Sequence, residues 1–217
     1  MPDWSVYLVT GESLSAGRTT REIVDAAIEG GVGVVQLREK SRTVRERYEM
    51  GREIRERCGE AGVTFVVNDR VDLAQALDAD GVHLGDDDLP VPVARDLLGE
   101  DAVVGRSVST VAAAEAAEAA GADYLGVGTV YRTQSKDDIP EDEHGVGPER
   151  VSEIAAAVDI PLVGIGGITA ENAAAVASAG ADGVAVITAI TRAETPAAAT
   201  AALHDAVERG RSGVQNT

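Results

Sequence analysis

The sequence predicts a single (β/α)8 barrel, and three observations carry that prediction. Short apolar runs alternate with helical patterns along all 217 residues, which implies a parallel sheet covered by helices. A recurring junction then joins helix to strand. It reads Ala79-Asp80-Gly81-Val82, Gly121-Ala122-Asp123-Tyr124 and Gly180-Ala181-Asp182-Gly183, with Gly30-Gly31-Val32 and Ala61-Gly62-Val63 at equivalent places. Glycine just past a helix end accepts the left-handed turn that caps it, and the chain can enter the next strand at once. Third, no Gly-x-Gly-x-x-Gly follows the first strand, which counts against the alternative, a doubly wound open sheet. Residues 1–217 are therefore expected to form one barrel domain at the compact end of the usual size range.

The strands expected in order are Ser5 to Val9, Val32 to Leu37, Thr64 to Asn68, Val82 to Leu84, Val103 to Gly105, Tyr124 to Gly128, Leu162 to Ile165 and Val184 to Ile187. Between them lie amphipathic segments with recognisable starts. Thr43 with Glu46 forms a capping box, and Thr110 precedes an alanine-rich helix. Pro148, and Pro196 after Thr195, suit a first helical turn. After the sixth strand comes the longest irregular stretch, at about 129–147; structureless loops of that length in compact domains are usually lids, binding loops or disordered, and the hydroxyls and ammonium near its start favour a lid over disorder.

Composition narrows the function. With 44% apolar residues the chain can bury a sizeable core, while a formal net charge of −18 argues against nucleic acid and anionic membranes as partners. The 37 acidic residues, small aromatic content and near absence of lysine suggest adaptation to high salt. At 1 M salt the Debye length is roughly 3 Å, so such a surface would be largely screened there and self-repelling at low salt. A single cysteine, Cys58, has neither a disulfide partner nor metal-ligand spacing. The amino terminus lacks the pattern of a signal peptide, and no apolar run approaches the roughly 18 residues of a membrane span. A cytoplasmic location is expected, and a homo-oligomer is left open.

In a barrel, function belongs to the loops after the strands. After the second strand comes Gln36-Leu37-Arg38-Glu39-Lys40. Strand alternation puts Gln36, Arg38 and Lys40 on one side and Leu37 and Glu39 on the other. An amide, a guanidinium fork and an ammonium converging on one spot suit a phosphate better than a packed core. Of the 19 basic residues only Lys40 and Lys136 are lysines, each in a polar loop, which points to positions that need an ammonium.

The third strand ends at Asn68-Asp69, and Gly85-Asp86-Asp87-Asp88 follows the fourth. Carboxylates on neighbouring strand ends, with phosphate completing the shell, are a common way to hold magnesium. Gly105-Arg106-Ser107 sets a small hydroxyl at the mouth after the fifth strand. Thr133-Gln134-Ser135-Lys136 opens the long loop. Gly164-Ile165-Gly166-Gly167-Ile168 and Ile187-Thr188 close the set, in the two loops that often bind phosphate through backbone N–H groups. The histidines, His83, His144 and His204, show no metal spacing, and His83 reads as packed or hydrogen-bonded within its strand.

Taken together and in this order, these motifs resemble the thiamine phosphate synthase family from about Tyr7 to Thr195. In that family a barrel couples a hydroxymethylpyrimidine diphosphate to a thiazole phosphate, releasing diphosphate. The resemblance implies that Gln36, Leu37, Arg38, Glu39, Lys40, Asn68, Ser107 and Lys136 contact the pyrimidine diphosphate, with Arg38, Lys40, Ser107 and Lys136 taking part in catalysis. It implies Asp69 and Asp88 as ligands of Mg2+. Thr133, Gln134, Ser135, Gly167, Ile187 and Thr188 would hold the thiazole phosphate. The partners implied are these two small substrates. Asp86 stands where the family usually has glutamine, Ser135 where threonine is commoner and Thr188 where serine is commoner. Rival readings are a thiazole tautomerase, which should not need the complete set around Gln36 to Asp88, and a non-catalytic binder of a phosphate ligand.

Overall fold

A computed structural model of the chain describes residues 1–133 and 145–214. The described strands are β1 (Val6–Val9), β2 (Val34–Leu37), β3 (Thr64–Asn68), β4 (Gly81–Leu84), β5 (Val103–Val108), β6 (Tyr124–Gly128), β7 (Leu162–Ile165) and β8 (Gly183–Val186). They close into one parallel barrel in chain order, β8 pairing back to β1. The helices on its outside are α1 (Thr20–Glu29), α2 (Val44–Ala61), α3 (Val71–Ala76), α4 (Val91–Leu98), α5 (Val111–Ala119), α6 (Gly147–Ala155), α7 (Ala173–Ser178), the short α8 (Thr188–Thr191) and α9 (Pro196–Val214). Among the described residues no helix is long and apolar enough to cross a membrane.

Local chemistry accounts for the element boundaries. Thr43 and Glu46 satisfy each other's backbone donors at the start of α2, and Thr19 with Glu22 repeats the capping box at α1. The Thr110 hydroxyl accepts from the Ala113 N–H at the start of α5. At the far end of α2, Gly62 sits at φ 70°, the left-handed cap that a side chain would strain.

Some strand starts shift by one or two residues, β2 beginning at Val34 instead of Val32, and two expected strand ends are corrected. β5 runs to Val108 instead of stopping at Gly105, because its pairing with β6 continues through Ser107↔Gly126 and Val108↔Val127. At the other, β8 stops at Val186, and Ile187 becomes the N-cap of α8.

Two layers of core follow from strand alternation. One face of each strand packs against the helices, through residues such as Leu8, Leu37, Phe65, Leu84 and Leu125. The other fills the barrel with Tyr7, Val9, Val34, Val66, Tyr124, Val163 and Ala185, closed off at the amino-terminal end by Trp4. Trp4 lies against Tyr124 with ring centroids 4.4 Å apart. The interior is packed at that end, and the open end is where the strands' carboxyl termini lie.

Candidate active site

A cavity of about 430 Å³ occupies that open end. Gln36, Arg38, Lys40, Asn68, Asp69, Asp88 and Ser107 all line it, although they come from four strands and the loops that follow. Past Leu37 the chain tightens. The Lys40 N–H donates to the Arg38 carbonyl and the Arg42 N–H to the Glu39 carbonyl, both at 3.0 Å.

Leu37 and Glu39, expected with them, are not among the residues that line the cavity. Leu37 packs in the outer core. Glu39, only 2% exposed, accepts hydrogen bonds from the Glu12 N–H at 3.0 and 3.2 Å and from the Thr20 hydroxyl at 2.8 Å. Alternation sends both away from the cavity, and Glu39 ties the loop after β2 to the loop after β1 and to α1.

The acidic side is built by backbone geometry. Asp69 has φ 64°, a left-handed conformation that aspartate tolerates better than most residues. Its N–H donates to the His83 carbonyl at 2.8 Å, and its carboxylate lies 3.7 Å from Lys40 Nζ. Asp88 folds back because its Oδ2 accepts from the Gly85 N–H at 2.6 Å. Burial pushes the Asp69 carboxyl up, the neighbouring Asp88 carboxylate pushes it further, and Lys40 and Arg38 pull it down. Asp69 and Asp88 thus face the same cavity, each raising the cost of charge on the other.

Two carboxylates held together against their mutual repulsion fit a hard divalent cation. Among the described residues no group of three or more His, Cys, Asp or Glu could hold a metal. The protein's share would be these two carboxylates, with phosphate and water completing the shell. Asp86 also lines the cavity, but it pairs with Arg106, so its charge is partly neutralised.

A second cavity of about 230 Å³ adjoins the first, sharing Thr129, Ile165 and Ala185 with it. It brings together Thr133, Gly167, Ile187 and Thr188, the described members of the expected thiazole phosphate set. Gly167, at φ 62°, lets the loop after β7 approach the chain after β6, since a Cβ there would stand 2.6 Å from the Arg132 carbonyl oxygen. Gln134, Ser135 and Lys136, with most of the expected lid, lie outside the described residues, as does His144.

Sequence reasoning missed Tyr7 and Tyr124. Both are fully inside the barrel, their hydroxyls 2.8 Å apart, with Gln36 Nε2 donating to the Tyr7 hydroxyl at 2.7 Å. Burial pushes both phenols well above their ordinary pKa, so both stay protonated. Inward alternation in the first and sixth strands was the available signal.

Comparison with known proteins finds relatives along nearly the whole chain. The family model described as thiamine monophosphate synthase matches residues 6–190. The thiamine-phosphate synthase of Haloarcula marismortui is 73% identical, over 97% of this chain and all of that protein. That of Moorella thermoacetica is 50% identical, over 97% and 99%. A thiamine phosphate pyrophosphorylase structure from Pyrococcus furiosus superimposes with a TM-score of 0.87 at 39% identity, over 97% of this chain and 98% of that one.

Proposed function

Since the chain belongs to the thiamine monophosphate synthase family, we propose that it couples 4-amino-2-methyl-5-(diphosphooxymethyl)pyrimidine to 4-methyl-5-(2-phosphooxyethyl)thiazole, giving thiamine phosphate and diphosphate. The observation that carries this reading is the meeting of Gln36, Arg38, Lys40, Asn68, Asp69, Asp88 and Ser107 around one cavity that opens directly onto a second. Two adjoining sites suit two phosphorylated substrates that must meet end to end. A tautomerase acting on the thiazole alone would have no use for the first.

In this reading the pyrimidine diphosphate occupies the larger cavity. The bond from its methylene carbon to the diphosphate oxygen breaks, the electron pair leaves with diphosphate, and the thiazole nitrogen supplies the pair that forms the new carbon–nitrogen bond. Charge develops on the leaving group, so donors already in place lower the barrier most. Arg38 and Lys40 supply the cationic donors, Ser107 a hydroxyl, and Gln36 and Asn68 amides for orientation. Lys136 belongs to the same set by family resemblance. Mg2+ held by Asp69 and Asp88 would, when bound, screen the diphosphate as a Lewis acid. The carboxylates themselves position that charge beside Lys40. Thr133, Gly167, Ile187 and Thr188 hold the thiazole phosphate, and Gln134 and Ser135 belong to the same set by family resemblance.

No side chain has to act as a strong base or a nucleophile, in keeping with a cavity that offers two cations and two amides as donors beside its carboxylates. Thiamine phosphate formation from the two substrates, with and without Mg2+, tests the proposal. Product formed only with both substrates supports it. Isomerisation of the thiazole phosphate without coupling, or binding without turnover, would replace it with one of the two rivals.

A further inference from the structure

A line of side-chain hydrogen bonds runs across the floor of the larger cavity, from one wall of the barrel to the other. Gln36 Nε2 donates to the Tyr7 hydroxyl at 2.7 Å, and that hydroxyl lies 2.8 Å from the Tyr124 hydroxyl. The Tyr124 hydroxyl lies 2.8 Å from His83 Nδ1, and His83 Nε2 lies 2.9 Å from Ser107 Oγ. The two ends, Gln36 and Ser107, both line the cavity.

The barrel makes room for this line. A Cβ on Gly105 would stand 2.1 Å from the Tyr124 ring, and one on Gly126 would stand 3.0 Å from the His83 ring. Neither strand could carry a side chain there without displacing the line.

One assignment of hydrogens satisfies every group along the line. Each phenol has one hydrogen, and burial keeps both phenols protonated. With the Gln36 amide nitrogen donating to Tyr7, this assignment sends the Tyr7 hydrogen to Tyr124. Tyr124 then donates to His83 Nδ1, which puts the imidazole hydrogen on Nε2, where it donates to Ser107 Oγ. The Ser107 hydrogen is left to point into the cavity, and Gln36 Oε1 is left as an acceptor at the opposite end.

The geometry points to Tyr7, Tyr124 and His83 as positioning residues that set Ser107 as a hydrogen-bond donor and Gln36 as an acceptor for the pyrimidine diphosphate. This rests on the functional reading above, in which Gln36 and Ser107 contact that substrate. The chain of bonds fixes both ends together, so a fault in its middle reaches both. A donor and an acceptor set in advance also cost no reorganisation when the substrate arrives.

The direct test is the ring tautomer of His83 in the unmodified protein. Imidazole 15N shifts, read across a pH series so that the shifts themselves identify the neutral ring, are expected to show the hydrogen on Nε2. With only three histidines in the chain, His83→Gln assigns the signal. A hydrogen on Nδ1 would overturn the proposal, and this readout needs no activity.

The second arm is kinetic. Tyr124→Phe should lower kcat/KM for the pyrimidine diphosphate roughly tenfold and leave KM for the thiazole phosphate within about twofold. Combined with Ser107→Ala it should cost less than the product of the two single losses, because the serine end is already gone. Independent, multiplying losses would overturn the relay. An unmodified protein that forms no thiamine phosphate would refute the functional reading, while the tautomer measurement would still decide the relay.

Discussion

At the scale of the residue, Asp69 combines three properties that favour function over stability. It is held at φ 64°, it lies against Asp88, and its carboxyl is pushed up first by burial and then by that neighbour. The sign follows from linkage. Its folded pKa lies above its unfolded one, so the ionised form costs stability above the folded pKa, and that cost fades as the pH falls through it. Asn tolerates the same left-handed backbone, which makes Asp69→Asn a clean probe. Without metal at neutral pH the variant should melt higher than the parent, while Mg2+-dependent binding of the pyrimidine diphosphate should weaken and thiazole phosphate binding stay near normal. A lower melting temperature would contradict the electrostatic account.

If Asp69 and Asp88 serve one ion, the Asp69→Asn, Asp88→Asn double variant should lose much less than the sum of the single losses. Magnesium titrations of all three variants decide it, and strictly additive losses would move the metal elsewhere. Asp86 is a different case. Its side chain is 84% exposed in its pair with Arg106, and exposed pairs contribute about 0 to 1 kcal/mol. Asp86→Gln should therefore leave stability within about 1 kcal/mol of the parent by denaturant unfolding.

Among the elements, α2 shows how a polar helix start is secured. The Thr43 hydroxyl accepts from the Glu46 N–H, while the Glu46 carboxylate accepts from the Thr43 N–H at 2.8 Å. Thr43→Ala should cost about 1 kcal/mol, the usual loss for an N-cap hydroxyl. Hydrogen bonds from the Thr43 side chain and backbone lower the Glu46 carboxyl, and those from Thr19 backbone and side chain lower Glu22. Both folded pKa values lie below the unfolded value. The stability they contribute is complete above the ordinary glutamate value of 4.5 and is lost as the pH falls through the lower folded values. Acid melts of Glu46→Gln should accordingly show a shallower pH dependence than the parent below about pH 4.5. An unchanged slope would mean that the box contributes nothing measurable.

Over the whole molecule, the −18 net charge outweighs any single pair. Like charges spread over a barrel this size repel at low ionic strength and are screened within roughly 3 Å at 1 M salt. We therefore expect the melting temperature to rise steadily with KCl. A melting temperature unchanged from low to molar salt would remove the high-salt reading. The two cavities should respond to salt differently, since the one lined by Arg38, Lys40, Asp69 and Asp88 carries formal charge and the one lined by Gly166, Gly167 and Ile187 does not.

The sequence by itself determined the barrel, its strand count, the Thr43–Glu46 capping box and the loops that face the site. Those features follow from periodicity, capping chemistry and chain order, all local along the chain. It also placed Gln36, Arg38 and Lys40 on one side of a strand and Leu37 and Glu39 on the other, as the structure has them. Only the tertiary structure decided that Glu39 is a structural anchor, that Ser107 stands within a strand, and that Tyr7, Tyr124 and His83 join Gln36 to Ser107. Each of these depends on which strands lie across the barrel from one another. Strand pairing registers such as His83↔Gly105 and Gly105↔Tyr124, and the space those glycines leave, arise only when eight strands close into a ring.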